Sequence, residues 1–160
     1  MTQRHPIQSD VPMFITTVTR YRQNFFSFAP YAREAIEGLY RIQTFHPFFI
    51  FGFVIMPDHC HFLLNIPSPN TISGILNLYK ASVSHGVGIG PLWQKRFYLQ
   101  IPDNCSQVLR YIHANPIRKE FVRDPTEYPW SSANGRWDIT PLDNPLVGVT
   151  PKSRTLERVL

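Results

Sequence analysis

Residues 48–66 restrict the fold more than any other part of the chain. Residues 48–56 are almost unbroken apolar sequence, bounded by Pro47 and Pro57 and too short for an ordinary helix, which predicts a buried strand. Pro57-Asp58 is a turn pair. Residues 59–66 then alternate, with Cys60, Phe62, Leu64 and Ile66 on one side and His59 and His61 on the other. The apolar side demands a covering layer. His59 and His61 share the opposite side, with Cα atoms roughly 6.6–7 Å apart. Two imidazoles so placed can grip one metal ion; a turn cap beside a satisfied surface histidine fits equally well.

The flanking sequence completes a pattern around this hairpin. Residues 13–21, rich in β-branched and aromatic side chains, predict a first strand. Pro30 suits a helix first turn, and Ala32, Ala35, Ile36, Leu39 and Tyr40 recur at helical spacing to about Thr44. Asn70 or Thr71 can cap a second helix, whose stripe is Ile72, Ile75, Leu76, Tyr79 and Val83 and which should stop near Gly86. The glycines of 86–91 do not stand between a strand and a helix N-terminus, so they make a linker turn rather than a phosphate loop. Residues 92–101 alternate again, Trp93, Phe97, Leu99 and Ile101 against Gln94, Arg96, Tyr98 and Gln100.

Strand, helix, strand, strand, helix, strand is the α+β, ferredoxin-like split βαβ order (βαββαβ), an antiparallel sheet with both helices on one face. Those helices require the Cys60 side of the third strand, which leaves His59 and His61 on the open face. A further helix, capped by Asp103 or Asn104, should run through Ala114 with Cys105, Val108, Leu109 and Ile112 as its buried stripe, and Pro116 should end or bend it before a short continuation to Val122. Residues 124–133 are turn-rich and expected to pack back on the domain. The chain thus divides into an arm (1–12), one folded domain (13–135) and a Pro-rich, basic tail (136–160).

Charge and cysteine usage narrow the setting. Sixteen Lys and Arg against eleven Asp and Glu leave a formal charge of +5, which favours an anionic partner, nucleic acid before membrane. The first dozen residues contain no apolar leader, and the longest apolar run is too short to span a bilayer. Cys60 on the core face and Cys105 at a helix start are expected as reduced thiols of a cytoplasmic protein.

On the last helix Tyr111 and Asn115 stand four apart, on one face. A packed tyrosine edge and a C-terminal asparagine cap account for them as well as chemistry does. If that helix docks on the open face, Asn115 can supply an oxygen to a metal already held by His59 and His61. Two imidazoles and an amide oxygen suit a divalent ion such as Mg²⁺ or Mn²⁺ working on a phosphate. Arg96 and Tyr98 on the fourth strand, with Arg118 and Lys119 after the helix, pair basic and aromatic character as nucleic-acid contacts do; each also reads as a solvated rim. His113 points away from Tyr111 and is expected to be structural, with His46 and His85 incidental.

Four segments in order, Met-Pro-Asp-His-Cys-His (56–61), Trp-Gln-Lys-Arg-Phe-Tyr (93–98), Tyr-Ile-His-Ala-Asn-Pro (111–116) and Tyr-Pro-Trp-Ser-Ser (128–132), resemble the motifs of the REP-associated tyrosine transposases, single-tyrosine HUH nucleases of bacterial insertion sequences. The resemblance implies that His59 and His61 are the metal pair, Asn115 the third ligand and Tyr111 the nucleophile. It further implies a metal-dependent single-stranded DNA endonuclease and strand transferase, working through a 5′-phosphotyrosine, on single-stranded or hairpin DNA and without a nucleotide cofactor. A phenol with an ordinary pKa near 10 needs a nearby cation or base to attack at neutral pH. Relatives include dimers and monomers, and the short chain favours a monomer. Two other readings remain: a non-catalytic nucleic-acid-binding module, and a metal-dependent nuclease that uses water.

Overall fold

The computed structural model describes residues 11–143. Residues 1–10 of the expected arm and 144–160 of the expected tail lie outside the described residues. The element order is β1 (Pro12–Thr19), α1 (Ala29–Phe45), β2 (Phe49–Met56), β3 (His59–Asn65), α2 (Ile72–Val87), β4 (Trp93–Gln100) and α3 (Cys105–Arg118), with short 3-10 turns between them. The four strands form one sheet in the order β2-β3-β1-β4, all neighbours antiparallel, which is the expected ferredoxin-like arrangement.

The hydrophobic pattern separates the two faces of the sheet. Met13 and Ile15 of β1, Ile50, Phe53 and Ile55 of β2, and Cys60, Phe62 and Leu64 of β3 pack with the stripes of α1 and α2 into the main core. Thr71 caps α2 by accepting from the Gly74 N–H, and Gly88 closes it in the left-handed region at φ 72°, two residues beyond the expected stop. The opposite face is covered by α3. Ile112 of α3, with Val108, Leu109 and Cys105 beside it, meets Phe51, Val54, Met56, Leu63 and Tyr128 in a second, smaller core. The face expected to be open therefore carries its own helix.

Two local features let α3 lie close. The β2–β3 register slips between Ile50 and Gly52, so Phe51 has no partner on β3 and Phe51 and Gly52 both serve the α3 side. A Cβ on Gly52 would collide with Leu109 Cδ1 and crowd Ser132 Oγ. Of the two outcomes expected at Pro116, an end or a bend before a continuation to Val122, the end does not occur: α3 runs through Pro116 to Arg118. The proline forfeits only its own N–H, while Lys119 N–H still reaches Asn115 O (3.1 Å) and Phe121 N–H reaches Pro116 O (2.9 Å).

The segment after α3 packs back as expected. Ile55 N–H donates to Trp130 O (2.8 Å), Val54 bridges to Ser131, and Tyr128 Oη donates to Ile55 O (2.7 Å), so this stretch covers the outer edge of β2. Packing continues past the boundary expected at 135: Trp137 lies against Tyr40 and Phe53, and Thr140 N–H donates to Ile50 O. At the other end, Val11 is buried and Pro12 already belongs to β1. Among the described residues no helix is long and apolar enough to cross a membrane. Cys60 and Cys105 are free thiols.

Candidate functional site

The antiparallel register places Val54, His61, Thr16 and Tyr98 in one row across the sheet, and Met56, His59 and Val18 in the next. His59 and His61 thus stand on the α3 face with ring centroids 4.8 Å apart and planes at 71°. Each is oriented by a neighbour. His59 Nδ1–H donates to Asp58 Oδ1 (2.7 Å), and Asp58 Oδ2 is held by Arg22 (2.8 Å). His61 Nδ1 pairs with Thr16 Oγ1 at 2.8 Å. Burial, with smaller contributions from His59 and Arg118, pulls the His61 pKa down to about 3, so its imidazole is neutral across the ordinary pH range.

α3 brings Tyr111 to the same place. Its ring centroid lies 5.7 Å from that of His61, and Phe14 of β1 touches both rings, at 5.2 Å from His61 and 5.9 Å from Tyr111. Tyr111 remains 39% exposed, so a large substrate can reach it. The Arg118 guanidinium stands 4.3 Å from the Tyr111 ring centroid and donates to its Oη at 3.2 Å. Asn115 is buried one turn on, and its Nδ2 donates back to Tyr111 O (3.2 Å).

These contacts leave a consistent donor set. The Asp58 carboxylate can only accept, so the proton of that bond sits on His59 Nδ1, and in the neutral imidazole the lone pair is on Nε2. In the matching tautomer, with Thr16 accepting, His61 also offers Nε2. Among the described residues neither Nε2 has a hydrogen-bond partner, and the back-bonded Nδ2 of Asn115 leaves Oδ1 as its free acceptor. Two imidazole nitrogens and an amide oxygen fit a divalent cation.

The remaining expected contacts divide. Tyr98 is exposed in the His61 row, and Arg96 projects from the same side of the same strand. Arg118 is committed to Tyr111, and Lys119 lies exposed just beyond the helix. His113 is structural, as its angle on the helix predicts: Nε2 meets Ser132 Oγ at 2.8 Å, and that hydroxyl also receives the Phe53 N–H.

Sequence reasoning did not single out Thr16, Arg22 or the fastening role of Lys80. The Lys80 Nζ donates to Gln94 O (2.9 Å) and Arg96 O (3.1 Å), fastening the edge strand where its pairing with β1 slips, and burial lowers its pKa to about 8. Only cross-strand register reveals Thr16, because nothing in the sequence marks it as the neighbour of His61. Asp58 and Arg22 meet across 36 residues.

Known proteins resemble this chain in sequence and in fold. Residues 8–115 match the family model described as Transposase IS200 like. A REP-associated tyrosine transposase of Escherichia coli K12 is 24% identical over 100 residues, which span 60% of this chain and 61% of that protein. A solved structure of a REP-associated tyrosine transposase bound to a REP hairpin superposes with a TM-score of 0.74 at 21% identity, covering 89% of this chain and 96% of the other. A second solved structure, of a Deinococcus radiodurans protein, gives a TM-score of 0.51 at 16% identity, covering 70% of this chain and 95% of that one.

Proposed function

Since the chain belongs to the IS200-like transposase family, we propose that it cuts and rejoins single-stranded DNA through a covalent link to Tyr111. The observation that carries this reading is the approach of Tyr111 to His61, 5.7 Å between ring centroids, across two elements that share no local sequence. A merely structural tyrosine would not need to sit 39% exposed beside two imidazoles that are each held by a neighbour.

His59, His61 and Asn115 would hold a divalent cation, Mg²⁺ or Mn²⁺, which supplies Lewis-acid polarisation of the scissile phosphate when bound. The protein's own groups do the rest. Asp58 accepts from Nδ1 of His59, and with Thr16 accepting from Nδ1 of His61 both imidazoles offer Nε2. Arg118 holds the Tyr111 oxygen and places a cation beside the charge that develops during attack. Tyr111 Oη forms the new bond to phosphorus while the bond from phosphorus to the 3′-oxygen breaks. The phenolic proton is lost to solvent and the 3′-oxygen gains one. The products are a 5′-phosphotyrosine and a free 3′-hydroxyl, which can run the reaction backwards, so no nucleotide triphosphate is required.

The substrate follows from the surface and the relatives. Arg96, Tyr98 and Lys119 border the site with charge and an exposed ring, suited to phosphate contact and base stacking. The solved relative is described as bound to a REP hairpin, which supports hairpin-containing DNA as the substrate here. We assign the activity to a monomer.

The test uses hairpin-containing single-stranded DNA with Mg²⁺ or Mn²⁺ and a denaturing gel. The wild type should yield a shortened strand and a protein–DNA adduct, and Tyr111→Phe should lose both while still binding DNA. Cleavage without an adduct in Tyr111→Phe would transfer the chemistry to water. Binding without cleavage by the wild type, across substrates, would make the protein a nucleic-acid-binding module.

A further inference from the structure

The loop between β1 and α1 contains two successive non-glycine residues in the left-handed region, Tyr21 at φ 57° and Arg22 at φ 51°. Bulky L-residues avoid that region, and they persist there only where the surroundings over-determine them. Here the loop is fastened at every point. Arg20 N–H donates to Leu92 O (2.8 Å) and Gln23 N–H to Arg20 O (3.2 Å). Thr19 Oγ1 contacts both Gln23 O (2.7 Å) and Asp58 O (3.0 Å), and Arg22 closes the loop on the Asp58 carboxylate (2.8 Å).

The product of this strain is an aromatic ring held in water. Tyr21 is 77% exposed and packs against no apolar neighbour in either core. Its companion is Arg20, whose guanidinium stands 5.0 Å from the ring centroid and donates to the Tyr21 Oη at 3.2 Å. The loop that carries the ring is tied to the candidate site. Arg22 grips one oxygen of Asp58, and the other oxygen holds His59. An exposed aromatic, a stacked cation and a rigid backbone beside a phosphodiester site are the parts of a base-stacking station.

We propose that Arg20-Tyr21-Arg22 is a preformed subsite for single-stranded DNA: Tyr21 stacks on an unpaired base next to the scissile phosphate, Arg20 neutralises the adjoining phosphate, and Arg22 is the strut that holds the loop to Asp58. The inference rests on the reading of the protein as a single-strand DNA nuclease and names part of its substrate surface. Duplex DNA offers no free base face to Tyr21, so the subsite selects an unpaired strand.

The experiment measures binding of the full chain in a Tyr111→Phe background with chelator present, so that no cleavage intervenes. The probes are single-stranded oligonucleotides with 2-aminopurine walked through the positions flanking the cleavage point mapped with the wild type, and a duplex of the same sequence. The parent should quench the probe at one flanking position. Adding Tyr21→Ala should restore its emission and weaken single-strand binding by roughly 5- to 150-fold, with duplex binding unchanged. Tyr21→Trp should keep both signals, and Arg20→Gln should lower the logarithmic salt slope by about 0.7. Tyr21→Gly, which relieves the backbone, should melt no lower than the parent and still lose stacking. Parent-like binding and quenching by Tyr21→Ala overturns this inference alone; failure of the parent to bind any single strand overturns the functional reading with it.

Discussion

Leu109 Cδ1 of α3 occupies the space that a side chain on Gly52 of β2 would fill. The helix that carries Tyr111 reaches the histidine face because β2 has, at its bulge, nothing to push it away. Gly52→Ala should therefore cost about 1–3 kcal/mol of stability through overpacking. It should also reduce covalent adduct formation by more than the remaining folded fraction explains. Denaturant melts beside adduct yields check this, and an unchanged yield per folded molecule would mean α3 finds its place without the notch.

Thr16 makes one bond that matters, to His61 Nδ1. Thr16→Val keeps the shape and removes the partner. Divalent-ion affinity should fall by roughly 10- to 100-fold, the usual effect of losing a group that orients a ligand. Titration calorimetry with Mn²⁺ reads this directly, and an affinity equal to the wild type would detach Thr16 from the site.

Arg118 and Lys119 are adjacent basic residues with different duties. Arg118 touches the Tyr111 oxygen, whereas Lys119 stands exposed beyond the helix. Arg118→Gln should slow single-turnover adduct formation about tenfold, the low end for a charged hydrogen bond because the pair faces solvent. Lys119→Gln should mainly weaken binding and flatten its salt dependence. Arg118→Lys should not restore the rate, since an ammonium cannot both stack on the ring and reach the oxygen. Equal slowing by both glutamine variants would remove the distinction.

Alkaline pH should destabilise the protein. Burial pushes the Cys60 thiol up to about 12 and raises the hydroxyls of Tyr40, Tyr79 and Tyr128 as well. Groups with raised folded pKa values stabilise the fold below their unfolded values, and that stability is lost as pH climbs past them. Lys80, lowered to about 8, works in the opposite direction between about 8 and its unfolded value near 10.4, and through most of that window it opposes Cys60, because the tyrosines contribute only above about 10. Stability should stay nearly level to about pH 10, where Cys60 and Lys80 oppose each other, and fall above it as the three tyrosines join; urea midpoints between pH 7 and 11 measure it, and a midpoint that rises above pH 10 would contradict the balance. In the native state Cys60 should also resist thiol reagents until global unfolding.

Much of the fold was legible because its signals are periodic. The alternation of 59–66, the helical stripe from Ile72 to Val83 and the cap at Thr71 all act locally, and the structure places them within two residues of expectation. The facing of His59 and His61 was equally legible, since a strand has only two sides. What escaped was cross-strand and long-range. Thr16 is marked only by register, and the Arg22–Asp58 contact only by a loop conformation that no residue type announces. At Pro116 the sequence left an end or a bend open, and the chain continues as helix to Arg118. The missing N–H of the proline matters little where the next turn still closes, as the Lys119 bond to Asn115 O shows.

The two cores on either side of the sheet have a consequence for how such a protein changes over time. The histidine strand is fixed by the large core it shares with α1 and α2, whereas Tyr111 is fixed by the small one beneath α3. Substitutions at Phe51, Val54 or Leu109 can thus retune how firmly Tyr111 is presented, and substitutions at Leu39 or Tyr79 can retune the scaffold. Reactivity and durability are accessible to selection as separate traits.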